Sequence, residues 1–283
     1  MPNKETIHKV KETLISAANT FKEGQKRVYL NAIDKETEPR AKWIMNNTLE
    51  NEKIAKLSRF NLCDDTGIPH LLLEIGEDAV ITTELIDDIY EGVAVGLREL
   101  PGRPMAVLGN DIERIEQSKG LDSDPGAMVP GPIIMKKSDI KGLRLHILLQ
   151  GGGPEIRART YRVFHKRSVQ VIIDEVVKWA KEEVGQLGCT PVVPAIGIGR
   201  SHFEAVSLML EAMVEGDFEK QNDIEKEITT RINETNVGPL GLKGDTTALA
   251  TFLKIGPQRG SGVRIVSLRL CCNIEPRVAS VTL

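Results

Sequence analysis

Apolar residues recur at helical spacing over residues 6–22, where Ile7, Val10, Leu14, Ile15, Ala18 and Phe21 fall on one stripe. A polar loop follows. Pro39 then sits just inside a second helix whose face carries Trp43, Ile44, Ile54 and Leu57 and which ends near Arg59. The unbroken apolar run from Leu71 to Ile75 reads as a buried strand. Thr82 or Thr83 is placed to cap a further helix with Leu85, Ile86, Ile89, Tyr90, Val93 and Leu97 inward, which Pro101-Gly102 stops.

Periodicity lapses over residues 109–132, and this stretch, with Asp122-Ser123-Asp124-Pro125-Gly126 at its centre, reads as an ordered functional loop or lid. Leu143 to Leu149 is a strand that runs into Gln150-Gly151-Gly152-Gly153-Pro154-Glu155. Residues 168–187 form an amphipathic helix punctuated by Gly188, after which Thr190 to Arg200 reads as a short buried strand closing in a glycine turn. Ser201-His202-Phe203-Glu204 matches a capping box. A charged helix over about 218–234 and a glycine-rich loop, Asn236 to Ala248, precede a helical or extended segment to Ile255. Val263 to Leu270 then alternates as a strand and ends on Cys271-Cys272. With no internal repeat and no long polar linker, the pattern predicts an α/β fold, a mixed β-sheet flanked by helices, as a single domain over residues 1–283.

Composition narrows the chemistry. Hydrophobic content of 41% supports a real core, and no apolar stretch approaches the ~20 residues that span a bilayer. The N-terminus lacks the apolar core of a signal peptide, which suggests a cytoplasmic protein. A formal net charge of -3 and an aromatic content of 4% leave neither a basic footprint nor a stacking surface for nucleic acid. Four cysteines, Cys63, Cys189, Cys271 and Cys272, do not make a disulfide framework in a chain of this length.

Each cysteine lies beside a glycine-rich turn or at the end of a strand-like run. Their wide separation rules out paired local zinc signatures, so only tertiary folding can assemble them. Three remote thiolates suit an iron–sulfur cubane whose fourth iron stays open as a Lewis acid; inert cysteines are the competing reading. At Cys63-Asp64-Asp65-Thr66-Gly67 a thiol, two carboxylates and a hydroxyl stand at the mouth of a strand, though Asp-Asp-Thr-Gly is also ordinary turn chemistry. The triple glycine allows backbone N–H groups to approach a ligand, and Arg157, Arg159, Arg162, Lys166 and Arg167 after it suit an anion or form a solvated charged face. A dinucleotide fingerprint at Gly197-Ile198-Gly199 fails because position 202 is His where a glycine is required.

Taken together, Cys63-Asp64-Asp65-Thr66-Gly67, Gly151-Gly152-Gly153-Pro154-Glu155, Cys189-Thr190-Pro191 with Gly197-Ile198-Gly199, and Cys271-Cys272 resemble the α-subunit, or N-terminal domain, of class I iron–sulfur fumarate hydratases and L(+)-tartrate dehydratases. The resemblance covers most of residues 40–283. It implies a hydro-lyase that interconverts malate and fumarate, or alternatively acts on L(+)-tartrate. It implies a [4Fe–4S] cluster with three cysteine ligands, Cys63, Cys189 and one of Cys271 or Cys272, with Cys271 favoured by spacing. Asp65 looks like the acid/base residue. Asp64, Arg98 and the amides of Gly151, Gly152 and Gly153 look like substrate contacts. The family's second, C-terminal domain is expected as a separate β-subunit that completes the site, in an α2β2-type oligomer. Departures occur at Asp122-Ser123-Asp124-Pro125-Gly126-Ala127-Met128, after Arg98, and at the Arg259 turn, and they leave the substrate open. A non-catalytic or regulatory cluster-binding protein on the same scaffold is the rival, whereas electron transfer is disfavoured without a fourth, closely spaced cysteine.

Overall fold

Asn3 opens the first helix by accepting the N–H groups of Glu5 and Thr6 on its side chain. From there the computed structural model, which describes residues 2–283, runs α1 (Lys4–Asn19), α2 (Gln25–Lys35), α3 (Pro39–Ser58), β1 (Ile68–Glu77), α4 (Thr83–Glu99), α5 (Asp111–Glu116), β2 (Ile134–Lys141), β3 (Leu143–Gln150) and α6 (Gly152–Ile156). It continues through β4 (Arg159–Phe164), α7 (Val169–Leu187), β5 (Val193–Gly199), α8 (His202–Glu215), α9 (Asp223–Asn233), β6 (Phe252–Ile255), β7 (Val263–Cys271) and β8 (Arg277–Thr282).

The mixed α/β class holds, with two four-stranded sheets in place of the single one expected. The chain divides into two units. One gathers the segment up to Thr20, Glu52–Gly151 and Arg277–Leu283; the other gathers Phe21–Asn51 and Gly152–Pro276.

In the first unit the sheet order is β2-β1-β3-β8, with β1 parallel to β2 and antiparallel to β3, and β3 antiparallel to β8. The apolar stripes of α1 (Val10, Leu14, Ile15) and α4 (Ile89, Val93, Leu97) form one core with Leu71, Leu73, Leu145, Ile147 and Leu149 of the sheet. Thr82 caps α4 as its sequence suggests, accepting the Leu85 N–H at 3.2 Å.

In the second unit the order is β4-β7-β5-β6. Every residue of β5 is buried, as in a central strand covered on both faces. Ile173, Val176, Val177, Ala180 and Val184 of α7 share a core with Ile228 and Ile232 of α9 and with Ile196, Ile198, Val266 and Leu268 of the sheet.

Three local readings change. The polar loop before Pro39 contains α2, whose buried residues are Gln25 and Tyr29, so no apolar stripe announces it. In α3, Ile44 is buried but Trp43, Ile54 and Leu57 are exposed; Ala41, Met45, Leu49 and Ala55 make the buried row instead. At α8 only half of the box forms. Ser201 accepts the Glu204 N–H at 3.2 Å, while the Glu204 carboxylate turns to the N–H and guanidinium of Arg200.

Among the described residues no helix is long and apolar enough to cross a membrane. Lys22, which precedes α2, donates from Nζ to the Val214 carbonyl at 2.6 Å, and burial lowers its pKa from 10.5 to about 8. Between about pH 8 and 10.5 the unfolded chain therefore holds a proton that the folded chain has released. Folding stability rises with pH across that window, and Lys22→Met removes the rise in urea titrations run at pH 8 and pH 10.

Candidate active site

The cysteine–aspartate turn is built by the first unit. Leu62 donates its N–H to Ala18 at the end of α1 (3.0 Å), which seats the turn before β1 begins. Asp65 Oδ1 accepts the Gly67 N–H at 3.2 Å, so the aspartate performs the turn chemistry and its carboxylate is thereby oriented. Gly67 lies at φ 83°, and a Cβ there would stand 2.5 Å from Arg277 Nη2 and 3.0 Å from the backbone of Gln150. Only glycine satisfies both demands. Arg277, almost fully buried at the start of β8, donates from Nη1 to the carbonyls of Asp65 (2.8 Å) and Thr66 (3.0 Å).

Beyond α4 the chain returns to this turn. A side chain at Gly102 would collide with Thr66 Oγ1 and crowd Asn61 Nδ2, so residue 102 packs directly on the turn and delivers Arg103, whose Nη1 stands 3.5 Å from Asp64 Oδ2. Buried atoms of Thr66 (Oγ1), Asn61 (Nδ2 and Oδ1) and Gln150 (Nε2) have no hydrogen-bond partner among the described residues. Uncompensated polar atoms are costly in a core and mark places where a ligand or solvent is met.

Arg98 is differently occupied. Its Nε and Nη2 form a two-pronged pair with Asp124 (3.0 and 2.9 Å), and this pair raises the arginine's pKa and lowers the aspartate's. Asp124 also accepts the Gly126 N–H at 2.8 Å, and Asp122 accepts the Asp124 N–H at 2.9 Å. The stretch read as a lid is thus folded around Arg98, with α5 and a 3-10 turn (Pro125–Ala127) inside it.

The second unit carries the other three cysteines. Gly188 ends α7 at φ 80°, and Cys189 follows, exposed. The glycine-rich loop anchors the next residue: Thr190 donates its hydroxyl to the Gly238 carbonyl, and it accepts the N–H groups of Gly241 on Oγ1 (3.1 Å) and Leu240 on its carbonyl (3.0 Å). Asn273 donates its N–H to the Cys189 carbonyl at 2.9 Å, which brings the peptide after Cys272 against Cys189.

Cys271 is the last residue of β7, opposite Val193 and fully buried. Burial, with Glu275 adding to it, raises its thiol pKa, and the Arg269 guanidinium offsets part of the rise. Cys272 stands just past the strand, where Glu275 closes a turn by donating its N–H to the Cys272 carbonyl (2.9 Å). Arg269, fully buried, pairs with the fully buried Glu275 at 3.3 Å and with Glu155 of α6, tying the short helix after the triple glycine to the Cys272 turn. Among the described residues no group of three or more His, Cys, Asp or Glu stands ready to hold a single metal ion.

The basic run after the glycines is largely committed elsewhere. Arg157 and Arg159 pair with Glu183 and Glu182 of α7, and Arg162 lies over Tyr161 and Phe164. Gly153 opens outward, and a Cβ there would meet nothing within 4 Å.

The family model described as fumarate hydratase (Fumerase) matches residues 7–282. The chain belongs to the fumarate hydratase family. It is accordingly an enzyme of the hydro-lyase kind. A protein of Methanocaldococcus jannaschii named as a putative L(+)-tartrate dehydratase subunit alpha is 29% identical over 256 residues, covering 87% of each chain. Arg103, beside Asp64 at the cysteine–aspartate turn, is a candidate that sequence reasoning passed over. A glycine beside an arginine is too common a pair to signal a site; only the approach of Gly102 to Thr66 singles it out.

Proposed function

We propose that the chain is the α-subunit of an iron–sulfur hydro-lyase that adds or removes water on a hydroxy-dicarboxylate, with malate/fumarate and L(+)-tartrate as the candidate substrates. The observation that carries this reading, beside the family, is the Asn273–Cys189 hydrogen bond, which draws the Cys272 peptide against Cys189 within one unit. Soft thiolate donors suit an iron–sulfur group, and Cys63 and Cys189 are both accessible to one. Cys63, Cys189 and Cys272 are the residues that would hold it, with Cys272 preferred to Cys271 because Cys271 lies within β7 whereas Cys272 stands just past it and the peptide that follows bonds to Cys189. Bound there with three cysteines, a [4Fe–4S] cluster supplies a Lewis acid that polarises the substrate hydroxyl.

The chain's own groups provide the remaining needs. Asp65, its carboxylate oriented by the Gly67 N–H, takes or returns the proton at the carbon next to a carboxylate. Arg103 beside Asp64 is preferred to Arg98 for binding a substrate carboxylate, because Arg98 is already held by Asp124 in a bidentate pair. Thr66 Oγ1 and Gln150 Nε2 offer further polar contacts; the amides at Gly151, Gly152 and Gly153 are proposed as a second anchor on the family resemblance alone. The relative's designation as a subunit alpha supports a separate β-subunit that completes the site; an α2β2-type assembly is proposed with it.

Anaerobic reconstitution with iron and sulfide, together with the partner chain, tests this on fumarate, malate and L(+)-tartrate. The expected result is a broad visible absorbance and turnover of one of these acids; a pair that takes up no iron, or turns over none of them, overturns the reading. Asp65→Asn is expected to keep the absorbance and lose about 10²–10⁴-fold in kcat. Arg103→Met raises KM for the diacid, whereas Arg98→Met leaves KM unchanged.

A further inference from the structure

Two fully buried polar side chains of α2 are devoted to a single turn. Gln25 and Tyr29 lie one helical turn apart, and both are completely inaccessible. Tyr29 donates its hydroxyl to the Asn273 carbonyl at 2.6 Å. Gln25 donates from Nε2 to the carbonyls of Glu275 (3.3 Å) and Asn273 (3.5 Å), while its Oε1 accepts the Lys22 N–H at 3.3 Å. Phe21 stacks on Tyr29 with ring centroids 5.7 Å apart. Burial pushes the phenol pKa up, and the nearby Cys272 thiol adds to the shift.

Asn273 is therefore gripped at both of its backbone groups, through N–H by the Cys189 carbonyl and through C=O by Tyr29. Phenylalanine and an aliphatic side chain would fill these positions without burying a hydroxyl and an amide, which cost free energy unless bonded. What the polar versions add is a fixed path for the residues that follow Cys272.

We infer that Gln25 and Tyr29 are positioning residues that hold the Cys272 turn against Cys189, an inference that rests on the proposed iron–sulfur reading for its use but not for its test. α2 thus acts on the turn through the turn's own backbone carbonyls. Orienting groups of this kind commonly change metal affinity by about 10- to 100-fold.

Tyr29→Phe tests it with two readouts. In the cluster-free chain, alkylation of Cys272 by iodoacetamide, followed by peptide mass spectrometry, is expected to accelerate about tenfold or more, with Cys63 unchanged as the internal reference. In the reconstituted enzyme, loss of iron to a chelator accelerates by a similar factor and the electron paramagnetic resonance signature of the reduced cluster shifts. Equal Cys272 alkylation in Tyr29→Phe and the unaltered protein overturns the inference. Gln25→Leu carries the same test should the first variant fail to fold. If the unaltered enzyme takes up no iron, the functional reading fails while the alkylation ratio still decides this one.

Discussion

Arg269→Met lowers folding stability by about 3–5 kcal/mol, the usual consequence of removing one partner from a buried ion pair. Arg269 and Glu275 are both completely inaccessible, and the guanidinium also reaches Glu155. Methionine fills much of the volume but leaves the Glu275 carboxylate in a low-dielectric interior without the Arg269 counter-charge. The effect extends beyond stability. Arg269 joins α6, which follows the triple glycine, to the turn that carries Cys272, so its loss frees both segments at once. Urea unfolding of the cluster-free chain measures the change. Adding Glu275→Gln removes the stranded charge and is expected to recover part of the loss, giving a favourable coupling in the double-mutant cycle. A strictly additive cycle would show that the pair does not act as a unit.

On the proposed iron–sulfur reading, Cys272→Ser is expected to eliminate the cluster and with it turnover, while Cys271→Ser is expected to retain both. The two residues are neighbours in sequence, yet their surroundings separate them. Cys271 ends β7 and is completely inaccessible, and Cys272 is also buried. Cys272 has left the strand, and the peptide that follows it is bonded to Cys189. Iron and sulfide content of the two variants after anaerobic reconstitution measures the difference directly. Retention by Cys272→Ser together with loss by Cys271→Ser would reverse the assignment.

Helices α1, α4 and α7 and strands β1, β3, β5 and β7 are legible in the chain because each owes its burial to a row of aliphatic residues at one period. Strand β2 is not, since Ile134 to Lys141 is only half-buried and rich in lysine and aspartate. Strand β8 starts on a buried arginine and α2 buries a glutamine and a tyrosine, so neither presents the apolar pattern that periodicity detects. The same limit applies to the site. Arg98 has the right residue type and a helix to carry it, but Asp124, far along the chain, claims it; Arg103 stands in a segment with no period at all.

The family, the hydro-lyase chemistry and the identity of the turns that bear Cys63, Cys189 and the Cys271-Cys272 pair are properties of the sequence alone, because they reside in short runs whose residue types carry the chemistry. Which arginine faces Asp64, which of two adjacent cysteines lies within β7, and the partners of Gln25, Tyr29, Arg269 and Arg277 are decided only by tertiary structure. Each of these depends on a hydrogen bond, an ion pair or burial among residues remote in the chain, and such partners leave no trace in local spacing.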